Sequence, residues 1–84
     1  MERDKIRLKI QELLREIVDD DTVVLADSTT AEDVVDWDST NHVRLMVALE
    51  AALDIRFETD EIAAQNCVGE LVGLVQTKLR TEHA

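Results

Sequence analysis

Proline is absent from this chain and glycine occurs only at positions 69 and 73. Tight turns draw on both residues to reach their special backbone angles, so a fold of many hairpins is disfavoured. Aromatic residues, which favour strands, are reduced to Trp37 and Phe57. An all-α domain with an aliphatic core is the architecture that remains. Hydrophobic residues make up 45% of the sequence, enough to drive collapse despite its charge. A length of 84 residues holds one core, so 1–84 reads as a single domain.

Ile6, Ile10, Leu13, Leu14, Ile17 and Val18 recur at spacings of three and four, which predicts an amphipathic first helix. Asp19-Asp20-Asp21 ends it, because like charges at a helix C-terminus oppose the macrodipole. From Thr22 to Asp38 the pattern weakens. Val23-Val24-Leu25 and Val34-Val35 flank the turn-rich run Ala26-Asp27-Ser28-Thr29-Thr30. A lone strand would lack a partner, so the segment is expected to be a long ordered loop with a helical turn near 30–35. A second helix should start at Ser39 or Thr40 and run to about Leu53, with Val43, Met46, Val47, Leu49 and Leu53 on a broad apolar face. Thr59 or Asp60 is expected to cap a short third helix at Glu61-Ile62. Asn66 or Cys67 opens a fourth, whose apolar face is Val68, Leu71, Val72, Val75 and Leu79. The expected fold is a small four-helix bundle: three main helices, a short third helix, and a long ordered loop between helices 1 and 2.

The formal net charge of −10 argues against nucleic acid as a partner and for basic surfaces on other proteins. A single cysteine, Cys67, excludes an internal disulfide and a cysteine zinc site. No run is long and apolar enough for a membrane span, and Met1-Glu2-Arg3-Asp4-Lys5 lacks the apolar core of a signal peptide. A cytoplasmic location is expected.

Chemistry is sparse. A calcium loop from Asp21 to Glu32 would put Val23 and Ala26 where an oxygen ligand and a glycine are required. Ser39 and His42 lie three apart on one helix, yet no orienting acid, oxyanion loop or nucleophile elbow accompanies them. The chain is therefore not expected to be an enzyme. His42 reads as an exposed surface histidine, Cys67 as a half-buried structural thiol and Trp37 as a packing residue bracing the loop; His83 sits in a fraying tail. Asp38-Ser39-Thr40-Asn41 is four consecutive good N-cap residues. Taken locally, Ser39 is either a cap or a hydroxyl held where a helix N-terminus favours an attached phosphate.

The wider sequence resembles a known family. Asp38-Ser39, then Val43, Leu45-Met46-Val47-Ala48-Leu49-Glu50 and Leu53-Asp54-Ile55-Arg56-Phe57, resemble the second helix and following loop of acyl carrier proteins. Asp60-Glu61-Ile62 and Cys67-Val68-Gly69-Glu70-Leu71 look like that family's third helix and the opening of its fourth. The likeness runs from about Ile6 to Leu79. It implies a 4′-phosphopantetheine arm, taken from coenzyme A by a phosphopantetheinyl transferase and joined to Ser39, with acyl groups carried as thioesters on the arm's thiol. It also implies an acyl pocket lined by Val43, Met46, Leu49, Ile62, Val68 and Leu71. The implied partners are the transferase and acyl-loading or acyl-processing enzymes such as ligases, acyltransferases or ketosynthases, visited by a monomeric carrier. Asp38, Thr40, Asn41, Arg44 and Glu50 are the implied docking residues.

Departures from the family pattern bear on pathway. Thr40 stands where leucine is common, and Asn41 and Arg44 where fatty-acid carriers place acids. Trp37 replaces a small residue and looks more like the discrete carriers of specialised, polyketide-like pathways. The resemblance therefore implies a discrete carrier of polyketide-like or other specialised biosynthesis. The alternatives are a fatty-acid synthesis carrier, an aminoacyl or peptidyl carrier, and an unmodified helical adaptor with the carrier fold.

Overall fold

The computed structural model describes residues 1–82 of the chain and is all-helical. Its order is α1 (Arg3–Val18), a 3₁₀ turn (Ala31–Asp33), α2 (Ser39–Leu53), α3 (Thr59–Ile62) and α4 (Val68–Glu82). His83, expected in a fraying tail, lies outside the described residues. No helix among the described residues is long and apolar enough to cross a membrane.

Helix α1 packs against both α2 and α4. The periodic residues explain why: Ile6, Ile10 and Leu14 of α1 meet Leu45, Met46 and Leu49 of α2 and Val68, Leu71, Val72 and Val75 of α4 in one core. Val23, Leu25 and Trp37 enter it from the long loop, and Ile55 and Phe57 from the α2–α3 connection. Each such side chain contributes about 1.5–3 kcal/mol when fully buried. Both long helices that precede a connection end on an aspartate in the left-handed region, Asp19 at φ 54° and Asp54 at φ 55°. The next amides close the ends: Asp20 N–H donates to Arg15 O at 3.0 Å and Ile55 N–H to Glu50 O at 3.2 Å.

The long loop is ordered because its backbone groups find partners on two helices. Arg15 Nε donates to Val23 O at 2.7 Å, and Gln11 Oε1 accepts from Leu25 N–H at 2.9 Å. At its middle the loop caps α4. Val68 N–H donates to Thr29 O and Gly69 N–H to Asp27 O, both at 2.8 Å. These are first-turn amides with no partner inside their own helix. The approach is close enough that a Cβ at position 69 would lie 3.1 Å from Asp27 O.

Two boundaries differ from expectation. The N-cap of α3 is Glu58 rather than Thr59 or Asp60, and Glu61 Oε1 accepts the Glu58 N–H at 2.7 Å. Helix α4 starts at Val68, one residue beyond the Asn66-Cys67 opening, where the loop carbonyls take its first amides.

Candidate functional site

The loop delivers Trp37 into the core, and the chain then turns sharply into α2. Asp38 has extended backbone angles and is the N-cap: its Oδ1 accepts from Asn41 N–H at 2.8 Å, and its carbonyl accepts from His42 N–H at 2.8 Å. Asn41 Nδ2 donates to Asp36 O at 2.7 Å, bracing the left-handed backbone of Asp36 at φ 68°. Ser39 is therefore not the cap. It is the first helical residue, exposed, with its hydroxyl unspent on capping. The amides of Ser39 and Thr40 lie ahead of the first internal helical bond, where an anion is favoured.

A cavity of about 380 Å³ opens beside Ser39, between α2, α3 and the start of α4. Trp37, His42 and Val43 line one side, and Ile62, Cys67 and Leu71 the other. Of the residues implied as acyl-pocket lining, Val43, Ile62 and Leu71 are on its wall. Met46, Leu49 and Val68 are instead almost wholly buried in the core.

His42 departs from expectation most clearly. It is half-buried, not a free surface histidine. Trp37 Nε1 donates to His42 Nδ1 at 3.2 Å, and His42 Nε2 lies 2.7 Å from Ile62 O. Indole can only donate, so Nδ1 must be an acceptor. The hydrogen then sits on Nε2, which donates to the Ile62 carbonyl. One neutral ring thus joins the loop, α2 and the end of α3. Trp37, 7% exposed, and the half-buried Cys67 lie where packing arguments put them, and both also line the cavity.

The solution NMR structure of the holo acyl carrier protein from Geobacter metallireducens is similar to this chain, with a TM-score of 0.83 and 35% sequence identity over 93% of this chain and 90% of that one. The chain belongs to the acyl carrier protein family. No protein-family model matches the carrier. No match was found among curated proteins.

On the carrier's surface the implied docking residues divide. Asp38, Thr40 and Arg44 are exposed around the start of α2, beside the exposed apolar side chains of Val43 and Val47. Asn41 is half-buried and holds the Asp36 carbonyl. Glu50 is turned inward to the connection, where its Oε2 accepts from Phe57 N–H at 2.9 Å. The first turn of α2 carries no acid of its own.

Helix α3 is also tied to α4. Lys78 Nζ lies 2.7 Å from Glu61 Oε1. The Lys78 ammonium and then the Glu58 amide hold the Glu61 carboxyl below the ordinary carboxylate range. Among the described residues no group of three or more His, Cys, Asp or Glu is placed to hold a metal ion.

The His42 bridge was legible only in hindsight. Its signal is the spacing Trp37, Ser39, His42, which puts a donor and an acceptor on either side of the serine.

Proposed function

We propose that this chain is a discrete carrier that holds acyl groups on a 4′-phosphopantetheine arm at Ser39. The observation that carries this reading is the division of labour at the helix start. Asp38 caps α2, so the Ser39 hydroxyl is left exposed at the dipole's positive end. The similar holo acyl carrier protein adds independent weight.

When bound, the arm supplies a terminal thiol that takes up acyl groups as thioesters. The chain's own residues do three things. Ser39 Oγ provides the attachment point, and the first-turn amides of α2 stabilise a phosphodiester there. Asp38 and the exposed residues Thr40, Val43, Arg44 and Val47, with Asn41 at their edge, form the docking face for a phosphopantetheinyl transferase and for acyl-handling enzymes. The cavity beside Ser39 shelters part of the cargo. The carrier catalyses no step itself and acts as a monomer in the cytoplasm, docking briefly on basic partner surfaces.

A dedicated role in polyketide-like or other specialised biosynthesis fits the docking face better than fatty-acid synthesis does. Thr40, Asn41 and Arg44 remove apolar and acidic contacts that a fatty-acid partner set would use. A direct test loads the arm-bearing protein with an acyl group and treats it with neutral hydroxylamine, which cleaves thioesters. The acyl mass should be lost while the arm stays. Retention of the acyl mass would place the group on oxygen or nitrogen of the chain and refute the carrier reading.

A further inference from the structure

We propose that a groove in the long loop is a second docking surface, which receives a lysine or arginine side chain of the enzymes that install or use the arm; this rests on the carrier reading. The groove has a volume of about 300 Å³ and shares no lining residue with the cavity beside Ser39. Val24 and Val35 both line it, together with Asp20 and Asp33. Among the described residues these two valines are the most exposed large apolar side chains, at 73% and 80%.

Charge decides what covers the groove. Residues 16–43 hold nine of the chain's nineteen acids and no lysine or arginine. The rest of the chain, with ten acids and nine bases, is close to neutral. Among the described residues only Asp27 of those nine acids is ion-paired, with Arg3 at 3.7 Å. Arg15, just ahead of the segment, donates its Nε to Val23 O. Asp20 and Asp33 each have one oxygen fixed inside the loop, by Thr22 and by Thr30. Their other oxygens make no hydrogen bond among the described residues and are left for a partner. The stem of a lysine or arginine lies along the valines while its cation meets the carboxylates. The start of α2 offers no such complement, because its first turn carries no acid and Arg44 is exposed just beyond it. Val35 precedes Ser39 by four residues, so the two lie within about 14 Å and one enzyme can grip the loop while reaching the serine.

The test measures kcat and KM for arm addition by a broad-specificity phosphopantetheinyl transferase with coenzyme A, read by intact mass. Val24→Asn combined with Val35→Asn should raise KM for the carrier about tenfold and leave kcat unchanged. Asp21→Asn combined with Glu32→Gln neutralises two exposed acids of the loop that make no hydrogen bond among the described residues. It should raise KM about threefold at low salt and less at high salt. Leu8→Asn, the same kind of change on α1 at a residue 54% exposed, should move neither constant. Thermal unfolding checks that each variant is folded, and if the valine pair is not, the acid pair decides alone. An unchanged KM in the folded loop variants, or an equal rise in Leu8→Asn, would overturn the proposal. Failure of the carrier reading is distinct from both, since the wild type would then gain no arm at all.

Discussion

The indole N–H of Trp37 and Nδ1 of His42 face each other across 3.2 Å, with ring centroids 6.0 Å apart, on either side of Ser39 in sequence. This contact links the core end of the loop to the first turn of the helix that presents the serine. A double-mutant cycle with Trp37→Phe and His42→Leu, followed by urea unfolding, should return a coupling energy of about 0.5–1.5 kcal/mol. Additive effects would mean that the two side chains do not support one another.

The two glycines of α4 should answer oppositely to an added side chain. Gly73 has room, its nearest neighbour for a new Cβ being Arg3 Nη1 at 3.7 Å. Gly73→Ala should stabilise the fold by about 0.5–1 kcal/mol through helix propensity. A Cβ at position 69 would lie 3.1 Å from Asp27 O, so Gly69→Val must displace the loop from α4 and should cost about 1–3 kcal/mol. Thermal unfolding of the pair checks both signs.

Asp19 combines a left-handed backbone with a negative charge at the C-terminus of α1. Both are unfavourable there. Asp19→Gly should raise stability by about 0.5–1 kcal/mol and leave the Asp20 N–H to Arg15 O bond in place. A loss of stability would show that the Asp19 carboxylate has a role in the fold.

The Glu61–Lys78 pair sets a pH dependence. Lys78 and the Glu58 amide lower the Glu61 pKa in the folded state, so the carboxylate contributes stability above the ordinary carboxylate range. That contribution is lost as the pH falls through the lowered value. Glu61→Gln should therefore lower Tm near neutral pH, and the gap to wild type should close as the pH falls below the ordinary carboxylate range. A gap that is constant with pH would exclude the ion pair as its source.

Periodicity alone located the three main helices, because Ile6, Ile10 and Leu14 or Leu45, Met46 and Leu49 fall on one face whatever they pack against. The same property hides which part of that face borders the cavity. Met46 and Leu49 share a stripe with Val43, yet only Val43 reaches the cavity wall. Cap identity was likewise hidden in Asp38-Ser39-Thr40-Asn41, where all four side chains can accept an amide; the position of Trp37 in the core decides that Asp38 takes the task. Glu58 was missed as the cap because Thr59 and Asp60 beside it are the more usual N-cap residues, and Asp27 and Thr29 were missed as partners for α4 because those bonds join segments far apart in sequence.

The attachment of the arm to Ser39 is the central claim, and intact-mass measurement after incubation with coenzyme A and a broad-specificity phosphopantetheinyl transferase tests it most directly. The wild type and Ser28→Ala should each gain the mass of one arm, and Ser39→Ala should gain none. A wild-type protein left unmodified by several transferases, or a Ser39→Ala variant that still gains the arm, would contradict it.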